Sequence, residues 1–249
     1  MDMQVKDAVA IVTGANRGLG ASIVRSLLSE GMRVLAVCRS EGELRDLTEV
    51  HAGRLVIHHW SNATSAEAGP LVDRALKTFG RLDAVVNNAG YPGAGRFSGL
   101  VEQEWRSVFE ANLFTPMRLC HDAIEVFVEQ GSGKIVNIAS TSGLRGKPTL
   151  APYSASKAAL VRFTEALANE VAHHNVQVNA IAPGAFATAA QEAVTSDPEI
   201  LRRRLRKIPA RRMGDPDEIG AMVLYLVSPL SSFVTASTFV IDGGEVARL

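Results

Sequence analysis

The stretch Thr13-Gly14-Ala15-Asn16-Arg17-Gly18-Leu19-Gly20 decides the reading of this 249-residue chain. It follows the apolar run Ala8-Val9-Ala10-Ile11-Val12 and opens directly into a segment of helical period, residues 19–29. Glycines at such a strand-to-helix turn allow a tight bend and close approach of the backbone to a pyrophosphate. The unpaired amides of the helix start then face the anion. A purely structural turn also uses glycine, so the rest of the chain has to decide between the two readings.

Outward from that turn the same alternation repeats. Runs rich in Val, Ile and Ala at 33–37, 55–58, 84–86, 135–138, 176–181 and 238–241 join 8–12 as seven expected strands. Near-continuous apolar runs of this length suit strands covered on both faces of a parallel sheet. Segments of helical period lie between them at 19–29, 70–79, 102–129, 154–173 and 217–227. The pattern predicts an α/β fold: a Rossmann-like, doubly wound parallel sheet flanked by helices, with right-handed crossovers. No linker or repeat interrupts it, so residues 1–249 read as one domain. Two segments break the alternation: the glycine-rich 90–99 and a candidate substrate loop, 184–212, whose helical stretch is broken at Asp197-Pro198. Both follow the carboxyl ends of expected strands, where open α/β sheets bind ligands.

Composition excludes several classes. The 26 basic and 26 acidic residues cancel, so no global basic excess points to nucleic acid, and 47% hydrophobic content supports a sizeable core. No apolar run of about 18 residues exists to span a bilayer. The start, Met-Asp-Met-Gln-Val-Lys-Asp, lacks the basic-then-apolar layout of a secretory signal, so a cytoplasmic location is expected. Cys38 and Cys120 are too few for a disulfide scaffold and lack metal-ligand spacing. His58 and His59, adjacent on a strand, point to opposite faces, and His173 and His174 end a helix whose dipole suits their charge. No metal site is expected.

Further motifs fall in order along the chain. After the Gly-x-x-x-Gly-x-Gly turn come Asn87-Asn88-Ala89-Gly90, Ser140, Tyr153-Ser154-Ala155-Ser156-Lys157, Pro183-Gly184 and Val240-Ile241-Asp242-Gly243-Gly244. In this spacing and order the chain resembles the short-chain dehydrogenase/reductase family, over essentially its whole length. The resemblance implies a dinucleotide held by Gly14, Asn16, Arg17, Gly18, Leu19 and Gly20, with Asn88, Ala89 and Gly90 beside it. It also implies that Pro183, Gly184, Phe186 and Thr188 border the nicotinamide, the Phe186 backbone and the Thr188 hydroxyl bonding its carboxamide.

An NAD site usually places a carboxylate about 20 residues beyond the glycines. Here the second strand runs into Cys38-Arg39-Ser40, with no acid before Glu41. Arg39 and Arg17 can hold a 2′-phosphate through their planar charged forks, with Ser40 adding a hydroxyl, so NADP(H) is the expected cofactor. The family's Asp after the third strand is missing; within Trp60-Ser61-Asn62-Ala63, Ser61 and Asn62 are the nearest equivalents for the adenine contact.

Tyr153 and Lys157 stand four apart on an expected helix and share one face. A phenol ionises at about 10, and a neighbouring ammonium and helix N-terminus both favour phenolate. Tyr153 is thus the expected general acid in reduction, or base in oxidation. The resemblance adds Ser140, bonding the same substrate oxygen, and Asn112, whose backbone carbonyl holds a water linked to the lysine. Alone, each has a plainer reading: a surface pair, a turn cap, a buried amide.

The expected activity is hydride transfer between NADPH and a small-molecule carbonyl or alcohol. Reduction of 3-oxoacyl groups on coenzyme A or acyl carrier protein is the first alternative, and a non-catalytic NADPH sensor or scaffold the second. Residues 201–207 carry five cations, read as a solvated face or as a seat for a phosphate-bearing carrier. The resemblance also implies a homotetramer, or a homodimer, built on the helices over 102–129 and 154–173.

Overall fold

The computed structural model describes residues 2–61 and 63–247. Seven parallel strands form one sheet in the order β3-β2-β1-β4-β5-β6-β7: β1 Val9–Thr13, β2 Arg33–Cys38, β3 Leu55–His59, β4 Ala84–Asn87, β5 Gly133–Ile138, β6 Val176–Pro183 and β7 Thr238–Ile241. The strands agree with the expected ones to within one or two residues at their ends.

The alternation along each strand sorts its side chains to two faces. Ala10 and Val12 of β1 pack with Ile23, Val24 and Leu27 of α1 (Gly18–Ser29) and with Ile219 and Val223 of a helix over Pro216–Val227. Val9 and Ile11 point the other way, onto Leu71 and Ala75 of a helix over Leu71–Phe79 and Leu119 and Ala123 of one over Thr115–Gln130. Every residue of β1 and of β6 is buried, which is why these strands read as continuous apolar runs. The chain runs outward from β1 to β3, then returns to β4 on β1's other side. That reversal opens a crevice over the carboxyl ends of β1 and β4.

In chain order the remaining helices are α2 (Arg45–Val50), α3 (Ser65–Ala68), α4 (Leu71–Phe79), α5 (Glu102–Phe109), α6 (Thr115–Gln130), α7 (Thr141–Leu144), α8 (Ala151–Val171), α9 (Glu192–Thr195), α10 (Pro198–Arg206) and α11 (Pro216–Val227). One departure from the sequence reading matters. The single helix expected over 102–129 is interrupted by a π turn, Glu110–Phe114, between α5 and α6. Pro116 lies just beyond it and has no amide to close on the Asn112 carbonyl four residues back. The helical stretch in 184–212 is broken at Asp197-Pro198 as expected: α9 ends at Thr195, and α10 starts anew at Pro198 with the Asp197 carboxylate accepting the amides of Glu199 and Ile200.

Candidate active site

The glycine turn is built by two partners, one on each side of the crevice. The Thr13 hydroxyl accepts the backbone N–H of Asn88 at 3.1 Å and of Ala89 at 3.0 Å. In return the Asn88 side-chain amide donates to the carbonyls of Thr13 and Gly14, both at 3.0 Å. Gly14 sits at φ +63, and a Cβ there would meet the Ala89 Cα at 2.8 Å. A Cβ on Gly20 would run into the Gly14 carbonyl oxygen, so nothing larger than hydrogen fits. Arg17 caps α1 in extended conformation with no side-chain bond, leaving the first-turn amides to outside partners.

One partner of those amides has no signal in the sequence. Glu43, in the turn after β2, accepts the Gly18 N–H at 2.9 Å and is itself paired to Arg25 at 3.1 Å. The contact is long-range and carries no local signature. Thr13 is a further site residue that the motif reading does not single out, although a hydroxyl at a strand end beside the first glycine is a readable signal.

A cleft of about 610 Å³ runs from this turn across the sheet. It is lined by Gly14, Asn16, Arg17, Gly18, Leu19 and Gly20, by Arg39 and Ser61, and by Asn88, Ala89 and Gly90. Ser140, Tyr153, Lys157, Pro183, Gly184, Phe186 and Thr188 line it too, as do Trp60, Tyr91 and Gln191, which no motif points to. Ser40 stays on the rim, its hydroxyl accepting from the Asn16 amide at 3.1 Å. Asn62 lies outside the described residues. Thr188 closes against the turn, since a Cβ on Gly18 would touch its methyl at 3.2 Å.

At the other end, β5 delivers Ser140 and α8 delivers Tyr153 in its first turn and Lys157 one turn on. The Ser140 hydroxyl accepts the Ser142 N–H at 3.0 Å, capping α7, and lines the cleft together with Tyr153. The Lys157 ammonium is buried, donates to the Ile138 carbonyl at 2.7 Å and lies 5.9 Å from the centre of the Tyr153 ring. Burial lowers its pKa to about 8. The Tyr153 phenol departs from expectation: burial raises its pKa, and the nearby Ser140 hydroxyl pulls against that rise.

Asn112 does not line the cleft; its neighbour Ala111 does. Its side chain is fully buried and bonds the Tyr91 backbone twice, accepting N–H at 2.8 Å and donating to the carbonyl at 2.9 Å. A third bond, 3.0 Å to the Ser156 hydroxyl, reaches α8. Asn112 thus ties the glycine-rich loop to the helix that carries Tyr153 and Lys157.

A glycine turn at the start of a helix, joined through one cleft to the hydroxyls of Ser140 and Tyr153 and a buried ammonium, has the make-up of an NAD(P)-dependent oxidoreductase site. Residues 14–245 match the family described as enoyl-(acyl carrier protein) reductase. The chain is similar to the acetoacetyl-CoA reductase of Acinetobacter sp. (strain RA3849), 37% identical over 243 residues covering 95% of this chain and 96% of that one. It superposes at a TM-score of 0.92 and 32% identity, over 100% of both chains, on a protein from Beutenbergia cavernae provisionally described as an NAD(P)-dependent gluconate 5-dehydrogenase, with NADP bound at low occupancy. A single-site variant of actinorhodin polyketide ketoreductase, with NADPH, matches at a TM-score of 0.89 and 35% identity, covering 97% of this chain and 98% of that one. The chain belongs to the short-chain dehydrogenase/reductase family and transfers hydride between a nicotinamide cofactor and a carbonyl or alcohol.

Proposed function

We propose that the protein is an NADPH-dependent carbonyl reductase, able to run in reverse as an alcohol dehydrogenase, in which Tyr153 carries the proton. One observation carries this reading: Ser140, Tyr153 and Lys157 line the same cleft as the glycine turn. A nicotinamide dinucleotide supplies the hydride when bound. The chain's residues fit that group, because the turn leaves room only for glycine where the backbone meets the cleft. The amides after Arg17 would hold its phosphates. Arg17 and Arg39, both exposed and lining the cleft, would hold a 2′-phosphate. Ser40 supports that seat through Asn16, while Pro183, Gly184, Phe186 and Thr188 would border the nicotinamide. NADP and NADPH in two structurally similar proteins support the choice.

Ser140 and Tyr153 present two hydroxyls to one substrate oxygen. As that oxygen gains negative charge, both bonds strengthen, and Tyr153 gives up its proton to complete the alcohol. Burial that raises the phenol keeps it protonated at neutral pH, which suits the acid role. Lys157 lines the cleft and would bond the cofactor ribose, and Asn112 ties the loop to the helix around it. Residues 1–249 act as one unit, with 184–212 as the substrate loop.

For assembly we favour a homotetramer; exposed Phe114 and Met117 at the start of α6 and exposed Val101 before α5 support a subunit contact there. Two free, buried cysteines suit the reducing cytosol. No described helix is long and apolar enough to cross a membrane. The test is NADPH consumption by the wild-type protein across a panel of ketones, aldehydes and 3-oxoacyl thioesters, against NADH. Turnover with NADPH supports the proposal; tight NADPH binding without turnover on any of them supports the sensor reading instead.

A further inference from the structure

The buried face of α8 is polar at two points. Ser156, Leu160, Thr164 and Ala168 follow one another at every fourth position and are all fully buried, so they form one stripe against the neighbouring elements. Serine and threonine are weaker helix formers than alanine, and a buried hydroxyl costs stability unless it is hydrogen-bonded. Both hydroxyls are bonded, and in the same way. That of Thr164 donates to the Leu160 carbonyl at 2.8 Å and accepts the Asn137 side-chain amide at 2.8 Å. Asn137 in turn accepts the Asn87 amide at 2.8 Å, so this tie ends in β5 and β4. The Ser156 hydroxyl donates to the Tyr153 carbonyl at 2.8 Å and accepts the Asn112 side-chain amide at 3.0 Å, so this one ends in the π turn.

The two ties sit about 12 Å apart along the helix, at about 1.5 Å per residue. Thr164 lies away from the cleft, whereas Ser156 belongs to the turn between Tyr153 and Lys157, both of which line it. Apolar burial is non-directional and leaves a helix free to slide or rotate slightly, while a hydrogen bond has a set length and direction. The Ser156 bond therefore fixes that end of α8 where the packing alone does not. A Cβ on Gly90 would meet the Asn112 Oδ1 at 3.1 Å and the Lys157 Nζ at 3.6 Å, so the Asn112 amide and the Lys157 ammonium flank one glycine of the cleft. A displaced Asn112 side chain is felt directly at Lys157.

We propose that Ser156 is a positioning residue of this site, its hydroxyl locking the helical turn that carries Tyr153 and Lys157 to the side chain of Asn112. It acts through those residues: it sets where the Tyr153 hydroxyl and the Lys157 ammonium stand relative to the π turn and the loop at Tyr91. This role rests on the reading of Tyr153 as proton donor, so its test includes a signal that does not depend on turnover.

Ser156→Ala is compared with wild type and with Thr164→Val, which removes the other tie. Measured are kcat and KM for a ketone that the wild type reduces, Tm, and the carbon-13 signals of Cζ-labelled tyrosine. Tyr153→Phe assigns the Tyr153 signal, and Tyr225 of α11 serves as internal reference. Both substitutions strand a buried amide, so both are expected to lower Tm. Ser156→Ala is expected to lower kcat about tenfold or more with KM within about twofold, and to shift or broaden the Tyr153 signal. Thr164→Val should leave kcat within about twofold of wild type and the Tyr153 signal in place. A kcat kept by Ser156→Ala, or lost equally in the two variants, overturns the proposal, because the hydroxyl then serves stability alone. A wild type without turnover on any ketone sinks the reductase reading instead. The Tyr153 signal still decides the positioning role in that case: moved by Ser156→Ala alone it supports the tie, and unmoved it overturns it.

Discussion

The Lys157 ammonium donates to the Ile138 carbonyl at 2.7 Å and is buried beneath the cleft. Its pKa falls from the ordinary 10.5 to about 8 because burial penalises the charged form. With Tyr153 shifted upward by burial, the descending limb of the pH profile for reduction belongs to the lysine. Reduction with saturating NADPH is expected to be level near pH 7 and to fall as pH rises through about 8. A profile level to pH 10 contradicts this assignment.

The same burial has a stability consequence of opposite sign to the usual ion pair. The folded chain releases the Lys157 proton at about 8, whereas the unfolded chain keeps it to about 10.5, so this group makes folding more favourable as pH rises across that window. Below it, the buried charge costs stability. Lys157→Met is therefore expected to abolish turnover while leaving Tm at pH 7 equal to or above wild type. The difference should shrink as the pH rises above about 10. A Tm lowered by more than about 5 °C would show that the Ile138 bond outweighs the burial cost.

Arg17 and Arg39 line the cleft where the end of β2 offers no carboxylate. Each charge-assisted contact to a phosphate is worth about 1.5–3 kcal/mol, so Arg39→Ala should raise the KM for NADPH roughly 10- to 100-fold. KM for NADH should stay near its wild-type value. Equal losses for both cofactors would place Arg39 away from the 2′-phosphate.

Glu43 holds the Gly18 amide that the proposed phosphate site needs. Glu43→Gln keeps a hydrogen-bond acceptor and removes a negative charge from the start of α1. NADPH is expected to bind about 2- to 5-fold more tightly, with the gain fading at high salt. Fluorescence titration of bound NADPH measures it, and weaker binding would mean that Glu43 instead orders the turn through Arg25.

Asn112 makes three side-chain hydrogen bonds, two of them to the Tyr91 backbone. Asn112→Leu strands those buried groups and should cost about 1–3 kcal/mol of stability. Pro116→Ala is the subtler test, since it restores the amide that can close on the Asn112 carbonyl. It is expected to lower kcat with little change in Tm or NADPH affinity; an unchanged kcat would mean that this carbonyl is not needed.

Much of the fold is legible in the sequence because its signals are local. Continuous apolar runs such as 176–181 become strands buried on both faces, and Gly14 and Gly20 sit where a Cβ collides with backbone. The π turn at Glu110–Phe114 is hidden, because one extra residue per turn hardly disturbs a helical period, although Pro116 marks the place. The interruption at Asp197-Pro198 is legible because its signal is local: an N-cap carboxylate followed by proline ends one helical stretch and starts the next. The Glu43 contact and the upward shift of Tyr153 depend on packing between distant segments, which spacing along the chain cannot express.

The most direct measurement is a single-turnover comparison of wild type with Tyr153→Phe, following NADPH absorbance after mixing with a ketone that the wild type reduces. The variant should bind NADPH with unchanged affinity and lose hydride transfer by a factor of about 100 or more. Should it oxidise NADPH at the wild-type rate, the proton must come from elsewhere and the proposed role of Tyr153 is wrong.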